Sequence, residues 1–317
     1  MIVEQQIKSA LFGLAVGDAL GVPVEFVGRP WLKKHPLEDM RGHGTHDQPP
    51  GTWSDDSSLS FCLAESLCSG YNLRDIADKF LAWYRQGEWA ARGEVFDIGN
   101  STIAAMERLS NRALPPELAG GLDERSNGNG SLMRIMPLLF YIHNKPIDER
   151  YQACSEVSSL THGHFRSVFS CFLYLEAARL LLQGETPAAA FHNSVALVRD
   201  YAEAQQFNRR ELSYFTRIFN EKLPEVQEDN IYSTGYVLHT LEAAFWCLLT
   251  TDNYRDAVLR AANLGEDTDT TAAVAGGLAG LAYGFDAIPP QWVEQLARRQ
   301  EIEALCQRLA KALTSSL

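Results

Sequence analysis

The chain has 317 residues, 46% of them apolar, and a formal net charge of −12. That length can bury one large core or two modest ones. The acidic balance excludes a general nucleic-acid or anionic-membrane surface, because such surfaces need basic patches.

No uninterrupted apolar run reaches the ~18–20 residues that cross a bilayer. Met1-Ile2-Val3-Glu4-Gln5-Gln6 has neither the basic start nor the apolar core of a leader. The six cysteines form no CxxC pair, so reduced, buried thiols in a cytoplasmic protein are expected.

Taken in chain order, periodicity predicts helices over 5–19, 56–69, 73–85, 100–110, 132–143, 165–183, 186–205, 234–250, 253–262, 270–283 and 298–314. The first carries Asp18 within an apolar surface. An unpaired acid is costly there, so a bracing hydrogen-bond role is expected. The stretch His43-Gly44-Thr45-His46-Asp47 reads as a flexible loop leading to the next helix, since hard-metal sites do not use histidine clusters. Over 165–183, Val168, Phe169, Phe172, Leu173, Leu175, Leu181 and Leu182 form a broad apolar surface, predicting a buried central helix. Ala275, Gly276, Ala279 and Gly280 allow helices to approach closely. Runs of alternating β-branched residues are missing, so no sheet is expected. The reading is all-α: one compact orthogonal helical bundle over 1–317, with 42–51 and 114–130 as functional loops rather than linkers.

Two helix starts carry more oxygen than a cap requires. Asn263-Leu264-Gly265-Glu266-Asp267-Thr268-Asp269-Thr270 runs into a helix of small apolar residues, and Gly51-Thr52-Trp53-Ser54-Asp55-Asp56-Ser57-Ser58 opens another. One Asp or Thr satisfies the free amides of a helix end, and an acid in the first turn suits its dipole. The adjacent Asp55 and Asp56 repel unless a positive group stands beside them. Surplus carboxylate and hydroxyl oxygens are the ligands of hard cations such as Mg²⁺ or Mn²⁺. Two such helix ends together can hold a dinuclear site, with Ser54, Asp55, Asp56, Asp267, Asp269 and Thr270 as ligands. The alternative is a pair of independent solvent-exposed caps.

Six motifs in fixed order resemble the ADP-ribosylglycohydrolase family. They are Gly13–Gly21 with Glu25 after it, Ser54-Asp55-Asp56, Asp97–Thr102, Asn127–Arg134 with Thr161-His162, Thr234–Val237, and Asp267–Thr270. The resemblance spans about residues 8 to 293. It implies an all-α fold, two divalent cations, Mg²⁺ or Mn²⁺, and hydrolysis of the glycosidic bond between ADP-ribose and an acceptor. Arginine on a protein is the expected acceptor. ADP-ribosyl-serine, O-acetyl-ADP-ribose, a small ribosylated metabolite, or a catalytically silent ADP-ribose-binding module are the alternatives.

The resemblance also assigns roles. Glu25 activates a water opposite the metals, with Asp55, Asp56 and Asp269 beside it in the catalytic set. Asp97 and Asn100 contact the ribose or the acceptor, and His162 is a pocket residue. Gly128, Asn129, Gly130 and Ser131, following Asn127 and preceding the helix expected over 132–143, suit a pyrophosphate, although a Gly-Asn-Gly run alone is a turn. Arg134 joins that phosphate site or pairs with a buried acid. Tyr232 and Tyr236 stack on adenine or pack in the core. Relatives carry Thr at the position of Ser54 and glycine at that of Glu266. No task follows for Glu266, and its side chain is expected to face solvent.

Overall fold

The computed structural model describes residues 4–315, so the start of the stretch inspected for a leader, Met1–Val3, lies outside the described residues. Two apolar helices, Glu4–Gly21 and Thr268–Tyr283, lie against each other at the centre. Glycine makes the approach possible. A Cβ on Gly17 would stand 2.1 Å from Ala272 O, and one on Gly21 would stand 2.2 Å from Asp269 Cα. The second contact sets the end of one helix against the first turn of the other, which brings Asp18 and Asp269 together.

By length and composition the segment Glu4–Val24 can cross a membrane, but 94% of its apolar window is buried inside the protein. Its hydrophobic surface is already used by the core.

Around this pair stand helices at Asp55–Leu67, Leu73–Gln86, Asn100–Leu109, Ile147–Ser159, Phe165–Leu182, Pro187–Ala204, Val237–Leu249, Tyr254–Ala262 and Arg299–Ser315. No strand forms among the described residues, and the only β pairing there is three isolated bridges. One apolar cluster runs from Ile7 to Leu309. The six cysteines are free, and five of them are buried.

Most expected helices are present within a few residues, and two regions differ. The helix expected over 132–143 shrinks to Leu138–Ile142. Residues 131–134 form turns instead, since Pro137 lacks an amide and disfavours helical backbone before it. Helix Ile147–Ser159 was not expected. Its core side includes the buried Arg150, which grips Glu176 with Nε at 2.5 Å and Nη2 at 2.9 Å. A charge on the inner face interrupts the apolar period on which the expectation rests. Short helices such as Arg29–Leu32 and Pro290–Gln295 offer too few turns to show a period.

Candidate functional site

Asp18 answers the question of caps versus surplus oxygens. Its Oδ1 accepts from Ser54 N at 2.9 Å, and its Oδ2 accepts from Ser57 N at 3.0 Å and Ser57 Oγ at 2.5 Å. Ser54 Oγ accepts from Asp56 N at 3.3 Å. The Asp55–Leu67 helix is therefore capped by Asp18 and Ser54, which leaves Asp55 and Asp56 with no capping duty.

At the other helix, Asp267 holds the cap position without a side-chain capping bond. Its Oδ2 accepts from Asn129 Nδ2 at 2.9 Å. Thr270 Oγ1 donates to Asp56 Oδ1 at 3.2 Å and ties the two helix ends together. Among the described residues, three buried carboxylate oxygens receive nothing: Asp56 Oδ2, Asp267 Oδ1 and Asp269 Oδ2.

Oxygens of Asp18, Asp56 and Asp269 come within 4.8 Å of one another, and so do those of Glu25, Asp267 and Asp269. Burial, reinforced by neighbouring acids, holds the carboxyls of Asp55, Asp56 and Asp269 well above the usual range. Burial is also the leading cause that lifts Asp18 to about 6, Asp97 to about 7 and Glu25 to about 8. Among the described residues, no lysine or arginine lines the cleft above them. Orphaned oxygens, like charges and hydroxyls without a cation fit divalent metal; the two acid groups share Asp269.

The cleft has a volume of about 380 Å³. Of the expected site residues, Glu25, Asp55, Asp97, Asn100, Gly128, Asn129, Gly130, His162, Asp267 and Thr270 line it. Ser54, Asp56 and Asp269 are buried beneath them. Asn127, Ser131, Tyr232 and Tyr236 do not line it.

The helix expected behind the Gly128–Ser131 loop is the part that needs correction. No helix starts behind Gly128–Ser131, and the amide of Asn129 is taken by Gly235 O at 3.0 Å. The Asn129 side chain instead fixes Asp267. Ser131 Oγ lies 2.9 Å from Ser158 Oγ within the core. Asn127 pins the start of helix Val237–Leu249, its carbonyl accepting from Val237 N at 3.0 Å. Gly128 and Gly130 make room for an imidazole, since a Cβ on Gly130 would stand 2.7 Å from His162 Cε1. Tyr232 is 53% exposed and stacks on His239, with ring centroids 4.9 Å apart, and Tyr236 meets the edge of the same ring at 5.0 Å. Tyr236 is half-buried and packs against the core cluster, while Tyr232 is exposed.

Arg134 finds neither a phosphate cleft nor an acid. It is fully buried over the Phe80 ring at 4.6 Å and donates to Thr161 Oγ1 at 2.7 Å and Val157 O at 3.2 Å. Thr161 Oγ1 lies 2.9 Å from His162 Nδ1. Arginine only donates, so the threonine hydroxyl accepts from it and keeps its own proton available for Nδ1. In the tautomer that takes that bond, the His162 proton stands on Nε2, beside the cleft. Burial and then the Arg134 charge push His162 down to about 3, so the imidazole is neutral.

The loop at 43–47 also differs from expectation. Instead of a free connector it is a turn folded onto Glu25. Thr45 Oγ1 donates to Glu25 O at 2.6 Å, His46 Nε2 pairs with Glu25 Oε2, and the same nitrogen lies 3.9 Å from Asp97 Oδ1. The sequence clue was a histidine shortly before the Asp55 motif, and nothing in its spacing tied it to Glu25.

Glu266 acts through its backbone. Its side chain is exposed as expected, while its carbonyl accepts from Phe26 N at 2.6 Å and its amide donates to Val27 O at 3.0 Å. This pairing clips the Glu25 loop to the start of the Thr268 helix. The left-handed φ of +61° at Glu266 suits glycine.

The sequence model of the ADP-ribosylglycohydrolase family matches residues 1–316. ADP-ribosylarginine hydrolase Tri1 of Pseudomonas putida (strain GB-1) is 35% identical over 304 residues, covering 95% of this chain and 77% of the relative. A protein of the same name from Serratia proteamaculans (strain 568) is 36% identical over 305 residues, covering 95% and 78%. A solved structure titled ADP-ribosylglycohydrolase-related protein complex superposes with a TM-score of 0.81 at 32% identity, covering 98% of each chain.

Proposed function

From membership of the ADP-ribosylglycohydrolase family, to which this chain belongs and which makes it a hydrolase, we propose that it releases ADP-ribose from arginine on proteins and depends on divalent cations. Asp55, Asp56, Asp267 and Asp269, with the hydroxyls of Ser54 and Thr270, would hold two such ions, Mg²⁺ or Mn²⁺. When bound, these ions orient ribose hydroxyls and make a water more acidic. The observation that carries the reading is the set of buried oxygens without donors at Asp56, Asp267 and Asp269, directly below a cleft that no described lysine or arginine lines.

The chain's own groups divide the rest of the reaction. Cleavage at the anomeric carbon passes through an oxocarbenium-like state and requires a water deprotonated as it attacks. Glu25 takes that proton. His46 on Oε2 keeps the other carboxylate oxygen turned to the cleft. Asp97 faces the ribose and the acceptor, within reach of Glu25 and Asp269. His162 donates from Nε2 to a substrate oxygen without bringing charge. Asn129 and Asp18 act by positioning, the first on Asp267 and the second on the Asp55 helix.

The similarity to two proteins named as arginine hydrolases supports arginine as the acceptor. We read residues 1–317 as one catalytic domain, a reading supported by the single apolar cluster. A cytoplasmic location is supported by six unpaired cysteines.

The test is release of ADP-ribose from an ADP-ribosylated arginine protein, with and without EDTA, alongside serine-linked and O-acetyl substrates at matched concentration. Metal-dependent release that is fastest from arginine supports the reading. Release that ignores EDTA, or that favours another acceptor, refutes the corresponding half.

A further inference from the structure

We propose that Phe26, with His46 and Asp97, forms the acceptor subsite, and that Phe26 presents its ring face to the planar guanidinium cation of arginine. The inference rests on the arginine reading above and names the residue that recognises the acceptor.

Phe26 follows Glu25 directly, lines the cleft, and is 68% exposed. Its backbone sits at φ +59°, a left-handed conformation that costs a bulky residue about 1 kcal/mol or more. Two hydrogen bonds from the Glu266 backbone hold the segment there, Phe26 N to Glu266 O and Glu266 N to Val27 O. An aromatic ring locked in an unfavourable backbone and left open to solvent is not a packing residue, and such strain gathers at ligand sites.

The surroundings define the ligand. His46 lies 6.2 Å from the Phe26 ring and is backed by Phe96 at 5.2 Å, centroid to centroid. Glu25 and Asp97 stand beside this wall, and among the described residues no lysine or arginine lines the cleft. An aromatic face next to carboxylates and free of competing cations suits a flat delocalised cation. A serine hydroxyl or an acetyl group gains nothing from that face.

The experiment compares Phe26→Ala, Phe26→Leu and Phe26→Trp with the wild-type chain in Mg²⁺. It measures kcat and KM for an ADP-ribosylated arginine peptide and the Kd for ADP-ribose by calorimetry. Alanine and leucine are expected to lower kcat/KM by ~10-fold, the size of one cation–π contact. Tryptophan is expected to restore it, while the ADP-ribose Kd stays within ~2-fold, because that product lacks the cation. Leucine matching the wild type would overturn the proposal, as would alanine weakening ADP-ribose as much as substrate. Wild-type chain that leaves the arginine peptide intact overturns the arginine reading first, before any variant is compared, and this subsite with it.

Discussion

The floor and the side wall of the cleft are built on opposite terms. In the floor, Asp56, Asp267 and Asp269 each keep a buried oxygen without a donor, and their neighbours are other acids. In the wall, His162 is held at Nδ1 by Thr161, its carbonyl accepts from Ser158 Oγ at 2.8 Å, and Thr161 is anchored by Arg134. The floor is unfinished without positive charge. The wall is finished, and offers one neutral donor. Activity and stability should therefore respond in different ways to change in the two places.

The largest contrast comes from removing floor acids. Asp55→Asn and Asp269→Asn should lower kcat on an arginine-linked substrate on the order of 10³-fold, since cation-held charge stabilisation is lost. The same variants should raise the melting temperature of metal-stripped protein, because a repelling buried acid is removed. Loss of both activity and metal-free stability would mean that the acids are structural caps.

The pH dependence of metal-stripped protein sharpens the same point. Asp18 and Asp97 move from an ordinary 3.8 to about 6 and about 7, and Glu25 from 4.5 to about 8. The folded chain thus keeps protons that the unfolded chain has released. Stability should be greatest below about pH 4 to 5 as far as these groups decide it, and should fall as pH rises to about 8. Urea melts across that range in EDTA should show a decline of a few kcal/mol, and saturating Mg²⁺ should flatten it. A metal-free stability that rises with pH over this window would contradict the acidic floor.

In the wall, Thr161→Val removes the group that fixes the His162 tautomer. We expect kcat/KM to fall about 10-fold, with stability lowered by about 1–2 kcal/mol, seen in steady-state kinetics and denaturant melts. Unlike the floor variants, it should leave metal affinity unchanged. The smallest effect belongs to Glu266→Gly. The side chain is exposed and φ is +61°, so relief of backbone strain offsets the greater freedom of glycine when unfolded, and stability should stay within ~1 kcal/mol. A large loss there would show that the carboxylate itself has a task.

The floor was legible in the sequence because oxygens exceeded what two helix ends can use, and the surplus survives once Asp18 and Ser54 are seen to cap. The bundle was legible because apolar period and small residues agree along most of the chain. Other features were not. Whether Gly128–Ser131 met a helix depended on Pro137, several residues downstream. His46 reaches Glu25 only because a turn folds back, and no local pattern encodes that contact. Glu266 contributes backbone atoms, so its side-chain chemistry was a misleading guide. Arg150 lies inside the core, where a charged letter reads as surface, and Arg134 is buried on Phe80 and Thr161 rather than on an acid.

The account turns on cations completing the floor. A Mn²⁺ titration near pH 7.5, followed by electron paramagnetic resonance, tests it most directly. The account predicts two ions per wild-type chain and fewer than two in Asp269→Asn, the acid shared by both carboxylate groups. Absence of stoichiometric binding by the wild-type chain, or full binding by Asp269→Asn, would contradict it.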